Sequence, residues 1–193
     1  MSISDDLIIV EYALQTEQNL DLSLAVGRQF DRIKERVIGG FTDGLKSELL
    51  RRLPGAIVEN EFKDDPLKKY AGLYLVRTEW KDGFQVYLES QDANARSITF
   101  GVRRKNPDGK RVLGDAAAKL DAKLGTGKTN PDWEWFQSLG DPYKHWSKRK
   151  VLLEMYKVNK GQREKRDVLE YVAARLVSVF DIMSNLGKAP KRR

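Results

Sequence analysis

The amino-acid sequence predicts an α+β fold, with an antiparallel meander of three or four strands and helices packed mainly on one face of the sheet. Two observations predict it. Apolar residues recur every three or four positions over residues 22–49 and 168–186, and apolar and polar residues alternate within 84–104. A chain of 193 residues can bury one core, so we predict a single domain over 1–187 and a basic tail over 188–193.

The first part of the chain is predicted to be helical. A short helix follows Ser4, whose hydroxyl can cap the free amides of the first turn. A longer helix ends before Pro54 and carries one apolar stripe, formed by Leu22, Val26, Phe30, Ile33, Val37, Phe41, Leu45 and Leu49. Gly39 and Gly40 lie within this helix and cost about 1 kcal/mol each relative to alanine. This predicts a kink there, or the close approach of another backbone.

Period-two patterns follow and predict four strands, at residues 57–62, 73–80, 84–90 and 97–104. In the last two, the apolar side chains share one face, which predicts one buried and one solvated face of the sheet. Residues 81–83 supply a short hairpin turn, and the turn-forming residues 106–109 end the sheet. We therefore expect consecutive strands to be neighbours.

The remainder is predicted to be helical. A short alanine-rich helix covers 115–124, one or two helical turns cover 133–139, and Ser147 caps a helix that extends to about Val158. The broadest apolar stripe, over 168–186, predicts a closing helix that ends at Gly187.

Charge divides the chain into two halves. Residues 1–100 contain 13 Lys and Arg against 17 Asp and Glu, whereas residues 101–193 contain 22 against 11. A basic half of this kind attracts polyanions or acidic protein surfaces, although a merely solvated surface would have the same composition. The sequence has no cysteine and no apolar run long enough to span a bilayer, so we expect a cytoplasmic protein without thiolate chemistry.

Two sequence motifs invite catalytic interpretations that their surroundings do not favour. The segment Gly125-Thr-Gly-Lys-Thr129 ends like a phosphate-binding loop, but Ala122 replaces the first glycine and a helix precedes it. We interpret Gly125 as the end of a helix, followed by a basic loop. His145 is the only histidine, so neither a zinc cluster nor a marked catalytic triad is predicted.

A Mg²⁺-dependent nuclease is the remaining catalytic hypothesis. Acid-x-Lys patterns occur four times, and only Glu61 with Lys63 lies on a plausible strand with both side chains on one face. No preceding strand supplies the second acid, so an edge strand protected by charge is the better interpretation. We expect no catalytic residue, metal or cofactor.

An aromatic segment, residues 132–146, contains three of the four tryptophans and lies between two basic clusters. Such rings can stack on bases or form a protein interface, although Trp135 and Trp146 are better explained as core residues. The candidate binding residues are Arg103, Arg104, Lys105, Lys110, Arg111, Trp133, Tyr143, Lys148, Arg149, Lys150, Arg163, Lys165 and Arg166.

The order of these features resembles the C-terminal region of bacterial and phage PD-(D/E)XK nuclease-like proteins. The resemblance covers residues 20–187 and rests on Trp80 with Gly83-Phe-Gln-Val-Tyr-Leu-Glu89, Ile98-Thr-Phe-Gly-Val102, Trp133-x-Trp135 and Pro142-Tyr-x-x-Trp146. In that family the catalytic acids and lysine belong to an N-terminal nuclease core, which none of these motifs matches. The resemblance therefore implies an accessory or recognition module, with a phage or mobile-element origin, and transfers no catalytic residue.

The sequence thus favours a non-catalytic module that binds a polyanion, with nucleic acid as the first candidate. A second hypothesis is an inhibitor or decoy, encoded by a phage or mobile element, that docks on a host nuclease or defence complex through the same basic and aromatic residues.

Overall fold

A five-stranded antiparallel sheet forms the centre of the computed structural model, which describes residues 5–80, 83–106 and 113–186. The strands are neighbours in chain order, which confirms the predicted meander. They are β1 (Ile57–Asn60), β2 (Gly72–Val76), β3 (Phe84–Asp92), β4 (Arg96–Arg104) and β5 (Trp133–Ser138).

The two long central strands follow the predicted pattern. Val86 lies opposite Val102, and Leu88 opposite Phe100, so the apolar residues of both strands share the face that is covered by helices. The other face is not the solvated surface that was predicted, because Tyr87 and Thr99 are buried there as well. Large side chains on this outer face cover one another, and the alternation pattern alone cannot reveal that.

Strand β5 replaces the helical turns predicted over 133–139, and that prediction was wrong. Trp135 packs against Phe100 at a centroid distance of 5.9 Å, and its indole N–H donates to Asp121 at 2.8 Å. Gly101 allows the close pairing, since a Cβ there would lie 2.1 Å from the carbonyl oxygen of Trp135. Contacts that are distant in sequence decide this strand, and the periodicity of a short aromatic run cannot distinguish a strand from a helix.

Six helices accompany the sheet in the described residues. They are α1 (Asp5–Ala13), α2 (Glu17–Arg28), α3 (Phe30–Arg52), α4 (Ala116–Leu124), α5 (Arg149–Asn159) and α6 (Val168–Ser184). No helix in the described ranges is long and apolar enough to cross a membrane.

Helix α3 lies at the centre of the helical layer, in contact with α5, α6 and β1. The core between helices and sheet contains Phe41, Leu45, Trp146 and Phe180, all of which are inaccessible to solvent. Trp146 fixes the segment before α5 in this core, with its ring 5.2 Å from that of Phe41. The prediction that Trp146 is a core residue is therefore confirmed.

The long helix predicted over residues 22–49 is divided at Gln29 into α2 and α3, whereas Gly39 and Gly40 lie inside the uninterrupted α3. Gly40 allows a close approach, because Asn159 at the end of α5 donates its side-chain amide to the carbonyl of Val37 at 2.9 Å. A Cβ on Gly40 would lie 2.9 Å from that amide nitrogen, whereas a Cβ on Gly39 would meet nothing within 4 Å.

Several predicted boundaries move by a few residues. The first two predicted strands each end earlier and continue as short 3-10 turns, Glu61–Lys63 and Thr78–Trp80. Helix α5 begins after Lys148 rather than at a Ser147 cap, and α6 is capped by Asp167, whose carboxylate accepts from the Glu170 amide at 2.9 Å. Ser4, residues 81–82 and 107–109, Gly187 and the predicted tail lie outside the described residues.

Candidate functional site

The predicted binding residues lie in separate parts of the fold. Arg103 and Arg104 end β4, and Lys105 follows the strand. Tyr143 and Lys148–Lys150 lie before and at the start of α5, and Arg163, Lys165 and Arg166 connect α5 to α6. Lys110 and Arg111 lie outside the described residues. The carboxylates near the residues of β4 differ from those near α5.

On the outer face of the sheet, Arg103 is surrounded by acids and aromatic rings. Its guanidinium lies 2.6 Å from the Glu89 carboxylate and 5.0 Å from the ring centre of Tyr87. The Tyr87 hydroxyl donates to Glu61 at 2.6 Å, and the ring meets the edge of Trp133, which is only 4% exposed. This face therefore places the carboxylates of Glu89 and Glu61 near Arg103, which opposes the approach of a polyanion.

Burial affects the ionisable groups of this outer face. It raises the pKa of Glu89 above its ordinary value, against the opposing attraction of Arg103. Burial also raises the pKa of Tyr87, and the hydrogen bond to Glu61 adds to that shift. Both effects indicate a dense structural cluster.

On the opposite face, the Arg104 side chain is 8% exposed and lies 2.9 Å from the buried carboxylate of Glu134, so it contributes no charge to the surface.

Around α5, the basic residues face solvent. Residues 147–166 contain eight Lys and Arg against two Glu. A cavity of about 750 Å³ lies along the helix and its connection to α6, which we name the basic groove. It is lined by Arg149, Lys150, Leu153, Glu154, Tyr156, Lys157, Gln162 and Glu164. Helix α5 orients this surface because Val151, Met155 and Val158, spaced three and four residues apart, are buried on its other side.

Two carboxylates near the basic groove, Glu164 and Asp141, form only exposed ion pairs with nearby lysines. Lys157 pairs with Glu164 at 3.7 Å and Lys148 with Asp141 at 3.6 Å, in both cases through exposed side chains. Such exposed pairs are worth about 0–1 kcal/mol, so a phosphate can displace them. Within the described residues, no carboxylate forms an ion pair with Lys150.

Two aromatic residues border this surface in different ways. Tyr143 packs against Tyr171 at 4.7 Å and donates its hydroxyl to Glu154 at 2.8 Å, which holds one of the groove's two acids in place. Burial and that hydrogen bond raise the pKa of Tyr143. Tyr156 is 49% exposed at the edge of the groove, with the Lys160 ammonium 5.7 Å from its ring centre. Lys157 belongs to the basic cluster visible in the sequence but was not among the predicted binding residues, and Tyr156 and Gln162 were not predicted at all.

Arg163 belongs to the α5–α6 connection and lies 2.5 Å from Asp167, the residue that also caps α6. The Asp167 carboxylate at the start of α6 therefore partly neutralises the charge of Arg163. Lys165 and Arg166 are exposed in the same connection, and in the described parts of the chain neither forms an ion pair with a carboxylate.

The segment 125–129 has a structural role. Gly125 ends α4 with φ +94°, as predicted. The Gly127 amide donates to Asp121 at 2.8 Å, and a Cβ on Gly127 would lie 2.1 Å from the Trp135 indole nitrogen. Lys128 pairs through its backbone with Phe136 of β5. The loop amide that would face a phosphate is thus already bound to a carboxylate.

The other motifs are also engaged in structure. His145 accepts a hydrogen bond from the Ser97 amide at 3.2 Å, and its pKa is lowered by burial and then by Lys148 and Lys144. Glu61 and Lys63 lie in a 3-10 turn rather than on the predicted strand. Across residues 5–80, 83–106 and 113–186, no group of three or more His, Cys, Asp or Glu side chains could hold a metal ion.

Comparisons with family models, curated proteins and solved structures find no match to this chain. The resemblance to PD-(D/E)XK nuclease-like proteins stays a prediction.

Proposed function

We propose that this chain is a non-catalytic module that binds a polyanion, specifically nucleic acid, through the basic groove along α5. The observation that carries the proposal is the excess of cations along α5 and its connection to α6. Residues 147–166 contain eight Lys and Arg against two Glu, and Lys150, Lys157 and Lys165 are exposed there. The basic residues of β4 are excluded from the binding surface because Arg103 and Arg104 are held by Glu89 and Glu134.

The physical basis of binding is counterion release. Each phosphate neutralised by a lysine or arginine releases condensed cations, so log K falls with log salt at about 0.9 per contact on duplex DNA and about 0.7 on single strands. Phosphate contacts fix position without reading sequence. We therefore expect binding that is strong at low salt, steeply salt-dependent and weakly sequence-dependent.

The test is fluorescence anisotropy with labelled single-stranded and duplex oligonucleotides of both DNA and RNA. The variant is Lys150→Glu with Lys157→Glu. Its matched control is Lys119→Glu with Lys123→Glu, which makes the same change of charge on exposed residues of α4. We expect the groove variant to weaken binding at least about 10-fold and to lower the salt slope by about 1.4–1.8, the loss of two contacts.

Equal losses in both variants would contradict the assignment to α5, because net charge alone would then explain binding. Absence of binding even at low salt would refute nucleic acid as the ligand. In that case, capture of a host nuclease or defence complex by the wild-type chain but not by the groove variant would support the inhibitor or decoy hypothesis instead.

A further inference from the structure

The two N-terminal helices, α1 and α2, are connected by an ordered turn but bury almost nothing. In the turn between the helices, the Asn19 amide N–H donates to the Thr16 hydroxyl at 3.1 Å and its side chain donates to the Tyr12 carbonyl at 2.9 Å. No residue of α2 is buried. Ten large apolar side chains are 39–68% exposed, namely Leu7, Ile8, Ile9, Val10, Tyr12, Leu14, Leu20, Leu22, Leu24 and Val26. We call residues 5–28 the arm.

An apolar groove begins where the arm ends. It has a volume of about 420 Å³ and lies between α3 and α5, lined by Phe30, Ile33, Val37, Leu152, Leu153, Tyr156 and the stem of Arg149. Leu22 and Val26 continue the Phe30 and Ile33 stripe, and backbone hydrogen bonds bridge the break, from Gln29 to Val26 and from Ile33 to Gln29. The apolar stripe of α2 thus leads to Phe30 and Ile33, the first residues that line the groove.

The exposed area exceeds what a monomer ordinarily presents. Fourteen large apolar side chains of arm and groove are about half exposed, which corresponds to roughly 1,000 Å² per chain over all sides of the arm. Leu7 to Val10 are consecutive and project on all sides of α1, so one side of the arm together with the groove exposes about 650 Å², against about 300–600 Å² for the largest patch of a typical monomer. Two such surfaces would bury about 1,300 Å², which lies within the range of specific protein interfaces.

The charges of arm and groove are complementary. Residues 1–29 contain five acidic side chains and one arginine. The groove adjoins the basic residues of α5, since Arg149 and Tyr156 line both this groove and the basic groove. An acidic, apolar arm therefore fits an apolar groove with a basic border. Folding the arm onto its own groove would require breaking the hydrogen bonds around Gln29, whereas a second copy can supply its arm without that change.

We propose that two copies of this chain form a symmetric dimer, in which the arm of each covers the apolar groove between α3 and α5 of the other. The interface is isologous, so one type of contact is made twice. Lys150, Lys157 and Lys165 are not among the residues that line the apolar groove. The dimer does not depend on nucleic-acid binding.

The test is analytical ultracentrifugation of the full chain over a concentration series centred near 10 µM. We expect the molar mass measured for the wild type to be twice the 22.1 kDa of one chain. Leu22→Glu in the arm and Leu153→Glu in the groove should each raise the dimer Kd at least 10-fold. The matched control Leu50→Glu replaces a leucine that is 44% exposed on α3 outside the groove and should remain dimeric. Circular dichroism and urea midpoints verify that all variants fold.

Mixing distinguishes this arrangement from arm-to-arm packing. A heterodimer of the Leu22→Glu and Leu153→Glu chains retains one unaltered arm in one unaltered groove, so the mixture should dimerise more tightly than either variant alone. A monomeric wild type, a dimer unaffected by either variant, or a mixture no tighter than its components would overturn the proposal.

Discussion

The two adjacent glycines of α3 allow a matched test of how closely α5 approaches it. Alanine at either position favours the helix by about 1 kcal/mol relative to glycine. At Gly39 a methyl group meets nothing within 4 Å, so we expect Gly39→Ala to raise the free energy of unfolding by about that amount.

Gly40→Ala adds the same helix preference but collides with α5. The new Cβ would lie 2.9 Å from the Asn159 amide nitrogen and 3.3 Å from its Cγ. The amide must then move away from the Val37 carbonyl, and losing such a hydrogen bond costs about 0.5–1.5 kcal/mol. The two effects nearly cancel, so Gly40→Ala should be neutral or slightly destabilising, about 1 kcal/mol below Gly39→Ala.

The assay is urea unfolding at 25 °C, followed by circular dichroism, with equal m-values required for comparison. Asn159→Ala provides the second arm of a double-mutant cycle, since it removes the group that collides. In that background Gly40→Ala should stabilise as much as Gly39→Ala does. If the two alanine variants were equally stable in the wild-type background, or if Asn159→Ala left their difference unchanged, the proposed contact would be wrong.

Two further predictions concern the loop after α4 and the acid-dependent stability. Gly127→Ala would place a methyl group 2.1 Å from the Trp135 indole nitrogen and should lower the free energy of unfolding by about 1–3 kcal/mol. The control Thr129→Ala changes an exposed residue of the same loop and should alter that free energy by less than about 0.5 kcal/mol. Equal urea midpoints of the two variants would contradict the contact. Hydrogen bonds from Arg51 and then Arg52 lower the pKa of Glu48 from 4.5 to about 2, against the opposing effect of burial. Ionised Glu48 therefore stabilises the fold above pH 4.5, and this contribution is lost as the pH falls toward 2. The stability difference between wild type and Glu48→Gln should shrink over that interval in urea titrations, and a difference independent of pH would refute the ion pair.

The sheet and the closing helix were predictable where one local pattern decided the structure. In β3 and β4 apolar residues occupy every second position over residues 84–88 and 98–102, and in α6 the apolar stripe fills one side of the helix. Strand β5 was not predictable in this way. Its extended form depends on Gly101, which admits the neighbouring backbone, and on Asp121, which accepts the Trp135 N–H. Both residues are far from β5 in sequence.

The candidate site was predictable only in part. Clustered lysines and arginines indicated α5, and the structure exposes Lys148, Arg149 and Lys150 there. The burial of Arg104 was not predictable. The β4–β5 pairing is irregular after Val102, and close to this irregularity Arg104 forms a buried ion pair with Glu134. Composition cannot reveal such a pairing. Likewise, the apolar periodicity of α2 predicted a helix but contains no information about what covers its stripe.

The break at Gln29 separates two kinds of sequence constraint. Every apolar residue that is buried in the described parts of the chain lies at Ile38 or later. Substitutions before Gln29 therefore do not change the packing of the core formed by Ile38 and later residues. Substitutions in that core do not change the apolar and acidic side chains of the arm. Homologues are expected to diverge at different rates on the two sides of this residue, and an arm with other partner preferences could be joined to the same body without redesign of its interior.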